Sequence, residues 1–160
     1  MSDPTTDFGA GRAPRFALHR VGRVVFQRWY GAPALGDAMH VIQWIGSERR
    51  IVGADLALVE VVSGAAGRPS REVIAETISV VRGYRFIRRH HIVVLEGDSL
   101  ERRIARGVFS TVTFVLGETL EMAASVDEAI AHACAAVGQD PAETMKALDA
   151  LRVLRFEQQD

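Results

Sequence analysis

The sequence has too few of several residue types for a number of protein classes. One cysteine among 160 residues cannot build a disulfide framework, and 14 glycines with five prolines exclude a collagen-like chain. No segment approaches the roughly 18 consecutive apolar residues of a membrane-spanning helix. A net charge of −1 lacks the basic excess of a dedicated nucleic-acid binder. The sequence thus predicts a protein that neither spans a membrane nor binds nucleic acid.

The location and chemistry predicted from the sequence also follow from what is missing. The N-terminal residues have no basic start followed by an apolar run, and the lone Cys134 fits a reducing compartment, so we expect a cytoplasmic protein. The only lysine, Lys146, is not in a phosphate-binding loop, and no glycine-rich nucleotide fingerprint or nucleophile-elbow motif is present. The sequence therefore predicts no catalytic residue and no cofactor.

Histidines give no metal signal. Three of the five are isolated in sequence, and His90 and His91 are neighbours on a predicted strand. Adjacent strand residues point to opposite faces, so these two side chains do not readily share one ion. No cluster of histidine, cysteine or aspartate has the spacing of a zinc site. We expect no metal.

Hydrophobic residues make up 48% of the chain, enough for one globular domain with a substantial core. Residues 1–14 lack periodicity and are expected to form a flexible tail. Residues 15–138 contain alternating strand and helix patterns and are expected to form an α/β domain. Residues 139–160 follow it as an added helix, with Asp140 as its cap, Pro141 in its first turn and an end near Phe156.

The pattern of apolar residues defines the elements of the α/β domain. Two strands meet at a tight turn around Gly22, and two short apolar runs indicate later, more central strands. The predicted strands lie at 16–21, 24–30, 56–62, 91–96 and 119–123. The predicted helices lie at 34–50, 69–83, 100–116 and 125–137, the last opened by the capping-box residues Ser125 and Glu128. This alternation predicts a mixed, mostly parallel sheet with an N-terminal antiparallel hairpin and covering helices.

This element order, with the run Leu56–Val62 and the following Pro69–Glu72, resembles the STAS domain and more narrowly the SpoIIAA-like group of small bacterial proteins. The resemblance extends over roughly residues 16–138. It implies a non-enzymatic regulatory or scaffolding domain that acts through protein–protein contact with a regulator or kinase-like ATPase. In the family, a strand ending in Asp leads to a phosphorylatable Ser or Thr at a helix start. Here Glu60 lies where that Asp would be, and the usual Asp-Ser-Ser-Gly signature is absent.

Ser70 is the phosphorylation candidate that the resemblance implies. A phosphate at a helix N-terminus is favoured by the free N–H groups and the helix dipole. Arg68 and Arg71 flank Ser70 and could pair with that phosphate. The alternative interpretation is that Ser70 only begins a helix.

A ligand pocket is the alternative function. Glu60 places a carboxyl group inside an apolar strand, and ligands of open α/β sheets bind near the carboxyl ends of strands. Glu60, Ser63 and Gly64 would line such a pocket, which would bind a small molecule or support a weak enzyme. The competing interpretation is that Glu60 bonds loop amides at the strand tip.

The broad apolar face of the added helix has two possible partners. It can pack back onto the sheet, or it can bury that face in a homodimer. The sequence leaves both open.

Overall fold

The computed structural model describes residues 15–83, 90–116 and 121–151. The strands are β1 (Phe16–Val21), β2 (Val24–Trp29), β3 (Ala57–Val62), β4 (His90–Leu95) and β5 (Glu121–Ala123). The helices are α1 (Asp37–Val52), α2 (Arg71–Gly83), α3 (Ser99–Leu116), α4 (Val126–Val137) and α5 (Pro141–Ala150), with a short 3-10 turn at Gly64–Ala66. The predicted tail at 1–14, the start of the predicted strand at 119–123 and the end of the last helix lie outside the described residues.

The five strands form one sheet in the order β1-β2-β3-β4-β5. β1 and β2 are antiparallel, and the other neighbouring pairs are parallel. The mixed, mostly parallel sheet with an N-terminal hairpin is therefore confirmed. The hairpin turn contains Gly22 at φ +58°, a conformation that favours glycine. β3 lies in the centre, as its nearly uninterrupted apolar sequence predicts.

One face of the sheet packs tightly against α4 and α5. Val24, Phe26 and Val59 are fully buried there with Ile130 of α4 and Leu148 of α5. The helix that the sequence placed beyond the domain thus contributes a side chain to the same core. The other alternative left open by the sequence, a homodimer through this helix, stays untested, since residues 152–160 lie outside the described part of the chain.

Helix ends follow the capping residues in the sequence at two positions. The Ser125 hydroxyl accepts the Glu128 N–H at 3.2 Å, and the Asp140 carboxylate accepts the Ala142 N–H at 2.8 Å. These side chains satisfy amide groups that the first turn leaves without a helical partner. Both predicted helix starts are confirmed.

The start of α1 differs from the prediction. The helix begins at Asp37 rather than Ala34, because Gly36 adopts a left-handed conformation with φ +88°. The Asp37 carboxylate accepts the Ala34 N–H at 2.7 Å and pairs with Arg15 at 2.9 Å. A turn stabilised by Asp37 therefore replaces the predicted first helical turn.

Candidate functional site: a cavity over the sheet

The second face of the sheet is covered by α1, α2 and α3, and a cavity of about 510 Å³ lies between them. Its walls are mainly apolar. The sheet contributes Gln27, Trp29, Leu58, Glu60, Val62 and His91. The helices contribute Val41, Ile42, Ile45, Val73, Ile74, Val81, Ala105, Val108, Phe109 and Val112. The cavity therefore has one partly polar wall, on the sheet, opposite apolar helix surfaces.

The polar residues of this wall come from three adjacent parallel strands. Gln27 of β2 is the register partner of Glu60 of β3, and Leu58 is that of His91 of β4. Side chains two residues apart on a strand share a face. Gln27, Glu60 and His91 are thereby brought onto the same face, although they are far apart in sequence.

Trp29 and His91 both contact the Glu60 carboxyl group. The Trp29 indole N–H donates to Glu60 Oε1 at 2.8 Å, and His91 Nε2 lies 2.6 Å from Glu60 Oε2. The side chains of Glu60 and His91 are each only 12% exposed. A partly buried carboxyl group needs such partners, because removal from water is costly for an unpaired one. The wall therefore presents a pre-positioned carboxyl–imidazole pair.

Gln27 is the most deeply buried polar group of this wall. It is 2% exposed, and its side-chain amide makes no hydrogen bond with any residue that the structure describes. Most buried amides are paired, and an unpaired one costs stability. The Gln27 amide lines the cavity, so its donor and acceptor are available to a molecule that occupies this space.

Helix α3 covers the cavity without a conventional core on its inner side. Leu116 is its only buried residue, and it lines the cavity together with Ala105, Val108 and Phe109. Its outer side carries Phe114, which is 88% exposed. The predicted helix over Val108–Leu116 is confirmed, although its β-branched residues would favour strand.

The N-terminus of α3 is fixed against the loop that follows β3. Gly97 has φ +100°, and a Cβ placed on it would lie 2.6 Å from the Gly64 Cα. Asp98 and Glu101 form a capping box, with each side chain accepting the other's backbone N–H at 2.8 and 2.9 Å. The close approach of the two glycines thus anchors one end of the helix that covers the cavity.

The predicted pocket residues separate in the structure. Glu60 lines the cavity, whereas Ser63 and Gly64 are not among its lining residues. Ser63 extends the sheet by donating its N–H to the Trp29 carbonyl at 3.0 Å. Most of the cavity lies over the face of the sheet, and it extends to the carboxyl ends of the strands at Ala66 and Gly67. The physical reason is that α1, α2 and α3 leave space over the middle of the strands.

Ser70, Arg68 and Arg71 are all exposed at the start of α2. The Ser70 hydroxyl accepts the Val73 N–H at 3.3 Å and so caps the helix. Neither arginine forms an ion pair with a described residue. The pKa of the nearby Glu72 is lowered, first by its own backbone N–H and then by the Ser70 hydroxyl. The phosphorylation candidate is therefore accessible and lies beside an acidic residue.

The hydroxyl groups of the two threonines that line the cavity donate to carbonyls of their own helices. Thr77 Oγ1 donates to the Val73 carbonyl at 2.8 Å, and Thr113 Oγ1 donates to the Phe109 carbonyl at 2.9 Å. A nucleophilic mechanism would need a hydroxyl or thiol hydrogen-bonded to the His91 base. Cys134 is buried with α4 on the other face of the sheet.

The described residues contain neither a metal-binding cluster nor a helix that could span a membrane. Within ranges 15–83, 90–116 and 121–151, no group of three or more histidine, cysteine, aspartate or glutamate side chains is arranged to hold a metal ion. In the same ranges, no helix combines the length and apolar character needed to cross a membrane.

One residue of the polar wall stands out in the sequence, because Glu60 is a charge within an apolar strand. The sequence does not single out Gln27 or Trp29, and it brings His91 into consideration only as a metal ligand. Side chains on a strand alternate between its two faces. Once the strands are aligned in parallel, this alternation puts Gln27, Glu60 and His91 on one face, and that is the signal that could have found them.

Comparison with known proteins adds no family to this geometry. No protein-family model matches the chain, and no curated protein or solved structure is significantly similar to it. The resemblance to SpoIIAA-like STAS domains accordingly stays a prediction.

Proposed function

We propose that this chain is a non-enzymatic ligand-binding domain that holds a small, largely apolar molecule between the sheet and α3. The cavity of about 510 Å³ is the observation that carries the proposal. Pockets for drug-sized ligands have volumes of about 300 to 1,000 Å³ and mainly apolar walls. A space of this size over the centre of a sheet therefore favours an occupant.

The inner side of α3 supports the same proposal. Val108 and Phe109 face the cavity instead of a packed core. Burial of apolar surface contributes about 25 cal/mol per Å². A bound apolar molecule would supply the surface against which these side chains pack, so binding and the packing of α3 would stabilise one another.

The proposal is tested by titration with Nile red, an uncharged dye whose fluorescence rises in apolar surroundings. Val108→Trp places a large side chain in the cavity, and Val115→Trp makes the same change on the exposed side of α3. We expect the wild type and Val115→Trp to bind alike and Val108→Trp to bind at least tenfold more weakly. Equal binding by the two variants, or no binding by the wild type, would contradict the proposal.

A regulatory or scaffolding role is the second candidate function. It is favoured by the exposed Ser70 cap between Arg68 and Arg71, which have no ion-pair partner among the described residues. A phosphate of charge about −1.5 to −2 at this helix start could pair with both arginines. The protein partner would be a regulator or kinase-like ATPase, as the resemblance to SpoIIAA-like proteins implies.

This second function is tested by comparing the proteins captured from the native host by the wild type and by Ser70→Asp. Ser79→Asp is the matched control, because Ser79 is exposed on the same helix but lies away from its N-terminus. The expected result is a kinase-like ATPase whose binding changes with Ser70→Asp and not with Ser79→Asp. Identical captured proteins for all three chains would argue against the switch.

A further inference from the structure

The geometry of the polar wall points to an uncharged ligand that carries a hydroxyl or amide group and hydrogen-bonds to Gln27. This inference rests on the proposed function and specifies the chemistry of its ligand. The remainder of the ligand would be hydrocarbon, in contact with the apolar sides of α1, α2 and α3.

Gln27 carries the buried amide that a ligand in the cavity would meet. Its side chain is 2% exposed, lines the cavity and has no hydrogen-bond partner among the described residues. A primary amide offers one acceptor oxygen and two N–H donors. A ligand hydroxyl or amide can both donate and accept, so it can satisfy both ends of this group. An ester, ketone or hydrocarbon cannot.

The acidic neighbour of Gln27 bears on anionic ligands. Glu60 is its register partner on the neighbouring strand, and adjacent strands lie about 4.8 Å apart. A ligand carboxylate at Gln27 would therefore lie close to the acceptor oxygens of Glu60, and it would lose its water shell in a cavity whose walls are mainly apolar. The wall thus disfavours an anionic head group.

The contacts of Glu60 bear on cationic ligands. Trp29 donates to one Glu60 oxygen, and His91 lies within hydrogen-bond distance of the other. An ammonium group would have to leave water and compete with these two neighbours for Glu60, in a cavity that is otherwise mainly apolar. Desolvation of an ammonium ion is far more costly than that of a hydroxyl. An uncharged head group is therefore favoured over both charged forms.

The experiment uses four ligands with the same ten-carbon chain: decanol, decanamide, decanoate and decylamine. Each is titrated against the full chain at pH 7 by displacement of Nile red. Gln27→Leu removes the amide, and Gln43→Leu makes the same change at an exposed position of α1. We expect decanol and decanamide to bind about tenfold more tightly than decanoate or decylamine. We expect this preference in Gln43→Leu and its loss in Gln27→Leu.

The outcomes separate this inference from the proposed function. Binding of all four ligands with similar affinity, or tightest binding of decanoate or decylamine, would overturn the inference while a cavity ligand remained supported. An unchanged preference for decanol in Gln27→Leu would overturn it as well. Failure of Nile red itself to bind the wild type would instead contradict the proposed function.

Discussion

Replacing Gln27 with leucine should stabilise the ligand-free protein, even though Gln27 lies in the middle of β2. The side chain is 2% exposed and has no hydrogen-bond partner among the described residues. A polar group without a partner costs about 1–3 kcal/mol when it is buried away from water, and the Gln27 amide lines the cavity. Leucine has a similar volume and adds apolar contact with the cavity wall. Because water can enter a polar cavity and reduce the cost, we expect the lower end of this range, about 1 kcal/mol.

The free energy of unfolding is measured by urea denaturation, and the melting temperature by calorimetry, without added ligand. An increase of about 1 kcal/mol corresponds to a rise of roughly 2–4 °C for a domain of this size. Gln43→Leu, at an exposed position of α1, should change the free energy by less than about 0.5 kcal/mol. If Gln27→Leu lowered the free energy of unfolding, the premise that this amide lacks a partner would be refuted.

Three further predictions follow from single residues. Gly97→Ala should lower the free energy of unfolding by about 1–3 kcal/mol, because φ at this position is +100°. Gly107→Ala, in open space within α3, should raise it by up to about 1 kcal/mol. Urea denaturation measures both changes. Ser70→Ala removes a hydroxyl that helps to lower the pKa of Glu72, so NMR should show this pKa rising toward 4.5. The ionised Glu72 stabilises the fold above its ordinary pKa, and this stabilisation is lost as the pH falls. Ser70→Ala should make this stabilisation smaller. Burial raises the pKa of Tyr30. The phenolate absorbance of Tyr30, assigned by its absence in Tyr30→Phe, should therefore appear above pH 10. The free energy of unfolding should fall over the same pH range. An unchanged Glu72 pKa, or a Tyr30 transition at its ordinary pKa, would contradict the last two.

The order and type of the elements were predictable because each depends on local sequence. Alternation marks the strands, a spacing of three to four residues marks the helices, and Ser125 and Asp140 mark two helix starts. The start of α1 was wrong by three residues. A left-handed Gly36 and the contact between Arg15 and Asp37, 22 residues apart, fix that boundary.

The candidate site was predictable only in part because it depends on non-local register. Glu60 stands out as an acidic residue within a strand whose other residues are apolar. Gln27 and His91 become its neighbours only when β2, β3 and β4 are aligned. The cavity depends on how far α3 lies from the sheet, and the spacing of apolar residues along α3 does not encode that distance. The role of Glu60 in binding therefore stays a prediction, although the structure places it in the cavity wall.

The most direct test of a ligand in the cavity is photoaffinity labelling with a ten-carbon alcohol that carries an alkyl diazirine, followed by peptide mass spectrometry. We expect labels on the cavity side of α3, at Val108 or Phe109, and on Val73 or Ile74 of α2, with excess decanol preventing them. Labels confined to exposed apolar residues such as Phe114, or labels that decanol does not prevent, would contradict the account.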